Sequence, residues 1–175
     1  MESATAQGTF VVNGTFDAGY TGWTLLSPGI SGWDSGKGNP DGCFVLAGTS
    51  SIGPATMSQT IYGLTSGVTY TVSGDYLAIS TRQGISYELG VTIDDTSNLY
   101  EGSVYDWRSF SFTFTADTAS TVLSLSSGQN GINDSYRLDN IAITVVPEPS
   151  PLCLVGLGGI AGLLFLRRKA ALARC

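Results

Sequence analysis

The strongest constraint on the fold is the alternation between Val68 and Ala78. Tyr70, Val72, Gly74, Tyr76 and Ala78 fall on one side, and Thr69, Thr71, Ser73, Asp75 and Leu77 on the other. A period of two is the signature of a strand with one face buried, and a helix cannot use it. The same pattern recurs every 10 to 15 residues with Gly, Asn and Asp between the runs. Ser86 to Asp94 sets Tyr87, Leu89, Val91 and Ile93 on one face, and Arg108 to Thr115 does so with Phe110, Phe112 and Phe114. Shorter candidates are Phe10–Val12, Trp23–Leu26, Phe44–Ala47, Thr56–Tyr62 and Val122–Ser126. In Tyr136–Val146 the apolar phase slips between Leu138 and Ile141, which predicts a bulge at Asp139-Asn140.

About nine short strands with polar outer faces predict an all-β chain, an antiparallel two-sheet jelly-roll sandwich. Leu64-Thr65-Ser66-Gly67 and Asp94-Asp95-Thr96-Ser97-Asn98 are the natural turn connections. With 175 residues in all, one such domain over 7–146 accounts for the body, and residues 1–6 read as residual leader or disordered. Ala4-Thr5-Ala6 resembles the end of a signal-peptide cleavage site.

Charge divides the chain in two. Residues 1–150 hold Lys37, Arg82, Arg108 and Arg137 against all 14 acids, a balance of −10, whereas 151–175 hold four cations and no acid. An acidic body argues against nucleic acid as a partner. The tail has three parts: Pro147, Glu148 and Pro149 with Ser150 and Pro151, an uncharged apolar run at 152–166, and the basic stop Arg167-Arg168-Lys169 within 167–175. A helix over 152–166 spans about 22 Å, short of a hydrocarbon core of about 30 Å, so it can span by snorkelling of the flanking arginines but is marginal as a permanent anchor. The basic stop favours a cytoplasmic C-terminus and puts the body outside. Gly158 and Gly162 add a spacing that permits close helix contact.

Catalytic chemistry finds little to work with. Histidine is absent, which removes imidazole bases and His metal ligands. Cys43 is the one cysteine of the body, and its apolar run Cys43–Ala47 reads as a strand with a buried thiol. Glu88 and the Asp94-Asp95 pair supply carboxylates without a pattern that pairs them across a cleft, and Asp94-Asp95 reads as a hairpin turn. The expectation is a protein that is not an enzyme.

The tail's order of motif, apolar run and basic end resembles the PEP-CTERM sorting signal of Gram-negative bacteria. That resemblance implies recognition by an exosortase-type transpeptidase and cleavage near Pro147-Glu148-Pro149. It further implies export through an inner-membrane intermediate, held by 152–166, to the cell surface or extracellular matrix.

The body carries a second resemblance. Val12-Asn13-Gly14-Thr15-Phe16-Asp17 with Gly22-Trp23, then Met57-Ser58-Gln59-Thr60-Ile61, then Leu138-Asp139-Asn140-Ile141 are similar to jelly-roll carbohydrate-binding modules. Among their galactose-binding-like relatives, the choice-of-anchor surface proteins are the best likeness. The resemblance implies a structural calcium where the first and last strands meet, at Asp17 and Asp139 with Asn13 nearby. Turn and bulge hydrogen bonds made by the same residues are the alternative.

A sugar contact needs an exposed ring, because sugar faces stack on aromatics. The resemblance puts Trp23, after Gly22 in its motif, in the core, and Trp107, which adjoins the Phe110/Phe112/Phe114 strand, reads as core or sheet packing. Trp33 lies in a small-residue loop beside Asp34, and Tyr20, Tyr100 and Tyr105 have similar surroundings. Trp33, Asp34, Tyr20 and Tyr105 are therefore the candidate ligand contacts, and polysaccharide the candidate partner. The alternative is a structural or adhesion module of the cell envelope that binds no sugar.

Overall fold

The computed structural model describes residues 9–26, 31–48, 53–79, 88–101, 106–127 and 135–147. Ten strands form among them: β1 Thr24–Leu26, β2 Gly32–Asp34, β3 Cys43–Ala47, β4 Thr56–Tyr62, β5 Thr69–Ala78, β6 Glu88–Ile93, β7 Thr96–Glu101, β8 Arg108–Thr115, β9 Ser120–Ser127 and β10 Ser135–Val145. They build two five-stranded sheets, the first ordered β1-β4-β9-β6-β7 and the second β2-β3-β10-β5-β8. The recorded pairings are antiparallel, and the two sheets face each other as a jelly-roll sandwich. The expected apolar tail helix, the basic stop and residues 1–6 lie outside the described residues. No helix long and apolar enough to cross a membrane occurs among the described residues.

The alternation read from sequence becomes the core. On β5, Tyr70, Val72, Tyr76 and Ala78 are buried, and on β6 Leu89, Val91 and Ile93 are fully so. Each large apolar side chain buried there contributes about 1.5–3 kcal/mol relative to exposure. Tyr70 joins both kinds of interaction: its ring stacks on Phe114 at 5.6 Å, and its hydroxyl accepts the Thr65 N–H at 2.8 Å. The bulge falls where the phase slip predicts. The register of β10 against β5 shifts between Asp139 and Ala142, and Asn140 takes φ +53°.

Three expectations change. Phe10–Val12 forms no strand; it is a strap tied by the Phe10 N–H to the Ile143 carbonyl (3.1 Å) and by the Gln59 side chain. Trp33 lies in a strand, because β2 pairs with β3 for three residues at the sheet edge. The expected five-residue connection at 94–98 narrows to Asp94-Asp95, since Thr96 already pairs with Ile93.

Candidate functional site

The strap-and-turn segment 11–23 explains why the Asn13–Trp23 motif needs its residues. Gln59 is buried at 5% exposure. Its Oε1 accepts the Val12 N–H (2.8 Å), and its Nε2 donates to the carbonyls of Val12 (2.9 Å) and Gly22 (3.1 Å). Asn13 donates Nδ2 to the Gly19 carbonyl (2.9 Å), and the Trp23 indole donates to the Asn13 carbonyl (3.2 Å). Trp23 is buried core. Gly14 is required because its backbone lies directly against the Ile141 carbonyl, leaving no space for a Cβ. The motif therefore closes the sandwich by tying the chain's start to β10 and β4.

Phe16, at the centre of that segment, is fully buried yet leads to the exposed edge. The Trp33 indole donates Nε1 to the Phe16 carbonyl at 2.6 Å, which fixes the ring's plane. Trp33 stays 42% exposed and Tyr20 43%. Both are anchored to one core ring: Trp33 is the cross-strand partner of Phe44, and the Tyr20 ring meets Phe44 edge-on at 5.3 Å. A Cβ at Gly42 would stand 3.0 Å from the Trp33 Nε1, so the glycine keeps the indole's seat open. Gly32, Trp33, Asp34, Ser35 and Val45 line an open depression of about 380 Å³.

Charge enters through Asp34 and Arg137. The Arg137 guanidinium stands 3.7 Å from the Asp34 carboxylate across β3. Its Nε is buried with no hydrogen-bond partner among the described residues. Cys43 lies beneath this pair, fully buried. Burial, and then the Asp34 charge, push its thiol up to about 11, with Arg137 acting against them. The thiol is therefore inert packing.

Tyr100 and Trp107 are less available. Tyr100 belongs to β7 and packs its ring 5.2 Å from Phe110, so the loop setting expected for it does not hold. Trp107 is half-buried ahead of β8. Tyr105 lies outside the described residues.

Beside the depression sits a polar latch that the sequence did not reveal. Asp139, 1% exposed, and Asp75 are direct cross-strand partners on β10 and β5. The Asp139 carboxylate accepts the backbone N–H groups of Asn39 (2.5 Å) and Asn140 (2.7 Å). Asp75 accepts from Ser109 (2.6 Å), Asn140 (3.0 Å) and Asn39 (3.3 Å). Burial raises the Asp139 pKa, the two backbone bonds lower it, and the charges of Asp17 and Asp75 raise it further. The signal for this latch was the bulge itself, since a residue of positive φ beside an Asp re-aims both polar groups.

These carboxylates bear on the implied calcium. Asp17 and Asp139 lie near enough to repel, and hard oxygen donors of that kind suit calcium. Asn13 is committed to the 19–21 turn through its amide, and Asp17 also accepts a hydrogen bond from Thr15 (2.8 Å). No group of three His, Cys, Asp or Glu side chains among the described residues is placed to hold a metal ion. The fit is therefore limited to the Asp17–Asp139 pair with neighbouring backbone oxygens.

The last strand ends at Val145, whose cross-strand partner is Tyr70 at the far end of β5. Residues 145–169, beginning there, match the model of the PEP-CTERM protein-sorting motif. The chain carries a PEP-CTERM sorting motif. Of it, Pro147 is exposed, while Glu148, Pro149 and the basic stop Arg167, Arg168 and Lys169 lie outside the described residues.

The body, ahead of the sorting motif, has the fold of carbohydrate-binding modules. It is similar to the CBM22-1 xylan-binding domain from Paenibacillus barcinonensis Xyn10C, at 14% identity and TM-score 0.62 over 84% of this chain and 100% of that one. It is also similar to TmCBM61, solved with β-1,4-galactotriose, at 13% identity and TM-score 0.61 over 79% and 99%. A bacteriophage CBA120 tailspike enzymatic domain aligns at 14% identity and TM-score 0.59 over 79% of this chain, which spans 21% of the tailspike's length. No curated protein matches the sequence.

Proposed function

We propose that this is an exported protein, sorted through its tail, whose sandwich binds polysaccharide at the β2–β3 edge without catalysis. The observation that carries the reading is Trp33: an indole locked by its bond to the Phe16 carbonyl and half-exposed on the edge strand that lines an open depression. A fixed ring loses little freedom when a sugar stacks on it, and the Asp34 side chain leaves β2 on the opposite face, with Arg137. Tyr20 extends the platform, and Arg137 positions Asp34. Structural neighbours that include a xylan-binding domain and a galactotriose complex support the ligand class. The motif begins at Val145, and Leu138, level with Trp33, lies seven residues earlier on β10. At about 3.3 Å per residue the edge stands roughly 20–25 Å from the start of the motif.

Sorting supplies the destination. An exosortase-type transpeptidase would act near Pro147-Glu148-Pro149 while 152–166 holds the chain in the inner membrane of a Gram-negative host, releasing the body to the surface or matrix. Mass spectrometry of the surface-derived protein tests it: the C-terminus ends at the Pro-Glu-Pro region, and an intact Cys175 rejects it.

The sugar site is tested on a glycan array with the full chain and its Trp33→Ala and Trp33→Phe variants. Binding falls about tenfold or more in Trp33→Ala and is partly kept in Trp33→Phe. Equal binding by all three rejects this edge, and no binding by any rejects the sugar reading.

Calcium is a separate part of the proposal. Asp17 and Asp139 would hold the ion and gain charge neutralisation where they now repel. Calcium then raises the melting temperature of the full chain and does so less in Asp17→Asn. An unchanged melting temperature in saturating calcium rejects it.

A further inference from the structure

The outer face of the first sheet takes no part in the core or in the Trp33 edge. Cross-strand register places Thr24, Ser58, Ser124, Thr92 and Ser97 in one line across all five strands. The adjacent line begins at Leu26 and ends at Leu99, with Thr56, Ser126 and Gly90 between them. Neither line contains a charge. Leu26, Leu99, Val122 and Tyr62 are 51–71% exposed, and all four project from this face. Only seven large hydrophobic residues are exposed among the described residues, so more than half of them sit on one sheet.

We propose that this face is a self-association surface, on which a second copy of the chain packs sheet to sheet. Electrostatics selects the face. Residues 1–150 carry a balance of −10, so two copies repel in most orientations, and the two charge-free lines are where they can meet. Small hydroxyl side chains permit the close approach of one sheet to another. Symmetry supports the match. A two-fold axis parallel to the strands reverses each line, setting Leu26 of one copy against Leu99 of the other. The same operation keeps the Glu88–Glu101 corner, the first charges met on this face, away from its own copy. Five strands about 4.8 Å apart and some five residues long, at about 3.3 Å per residue, give about 400 Å² per copy. The total of about 800 Å² lies below what a stable interface buries, so the association is weak and reversible. The inference does not depend on sugar binding at the Trp33 edge.

Sedimentation of the full chain in a mild detergent over a concentration series tests it, since the tail is common to every variant. Wild type gains mass with concentration. Ser124→Arg, which places a cation at the centre of the face, weakens association at least tenfold, and so does the double variant Leu26→Lys with Leu99→Lys. Thr113→Arg, exposed on the outer face of the second sheet, associates as wild type. Circular dichroism melting confirms that each variant is folded, and the double variant carries the test if Ser124→Arg is not. A wild type that stays monomeric throughout overturns the proposal, as does association unchanged in both face variants or lost equally in Thr113→Arg. A monomeric chain that loses polysaccharide binding on Ser124→Arg also overturns it and gives the face to a glycan.

Discussion

The two outer faces of the sandwich are built from similar strands and used differently. Both carry lines of Ser and Thr, as at Thr71, Thr113 and Thr144 on the second sheet and Thr24, Ser58 and Ser124 on the first. The first sheet keeps its two central lines free of charge. The second gathers Asp34, Arg137, Asp139 and Asp75 and covers part of itself with the 35–42 segment through Asn39. Five hydrogen bonds hold the Asp139 and Asp75 carboxylates, so this part of the second face is fixed in one arrangement. The uncharged face makes few side-chain bonds of its own, Thr92 to Ser97 at 3.0 Å being one, and is free to meet another surface.

The largest effect should come from breaking the latch. Asp139→Ala leaves the Asn39 and Asn140 N–H groups without their acceptor, at a cost of about 2–4 kcal/mol in stability. Asp139→Asn keeps an acceptor oxygen and removes the repulsion from Asp17 and Asp75, so it should cost clearly less. Denaturant melts of the three proteins check the order. An Asp139→Ala chain as stable as wild type would show that the second face is no more constrained than the first.

Next in size is the pH dependence of the same group. Its pKa in the folded chain is raised, by burial first, with Asp17 and Asp75 adding to it. A raised carboxyl binds more protons folded than unfolded. Its contribution to stability is therefore greatest at low pH and is lost as pH rises from the unfolded value through the folded one. Subtracting the stability profile of Asp139→Asn from that of wild type isolates the effect. The difference should fall with rising pH over that window, and a flat or rising difference means that Asp139 is not held in this repulsive setting.

How far the sequence shows these features depends on which property sets them. The strands of the core were legible because burial imposes period two on β5, β6 and β8, and the bulge because a phase slip at Asp139-Asn140 leaves no other geometry. Trp33 and Asp34 were found as neighbours, but their strand was not, since three residues of edge pairing leave no periodic signal. The latch was hidden because Asn39 and Asp139 lie 100 positions apart. The hydroxyl line was equally hidden: each of its residues comes from a different strand, and only register aligns them. Tyr100 misled for the opposite reason, its polar neighbours concealing a ring turned inward on β7.

The smallest effect concerns that line and separates a surface kept for stability from one kept for contact. Ser58, Ser124 and Thr92 are half-buried by their own strand neighbours, and changing each to Ala removes one hydroxyl from a position that water can reach. Substitutions of this kind shift stability within about 0.5 kcal/mol. Ser58→Ala and Ser124→Ala should therefore melt as wild type, in contrast to Asp139→Ala on the other sheet. A loss well above that bound would mean that the hydroxyls hold the first sheet together, and its freedom from charge would then need no partner to explain it. Near-zero cost leaves the uncharged face without a structural reason, which is what a surface built for contact predicts.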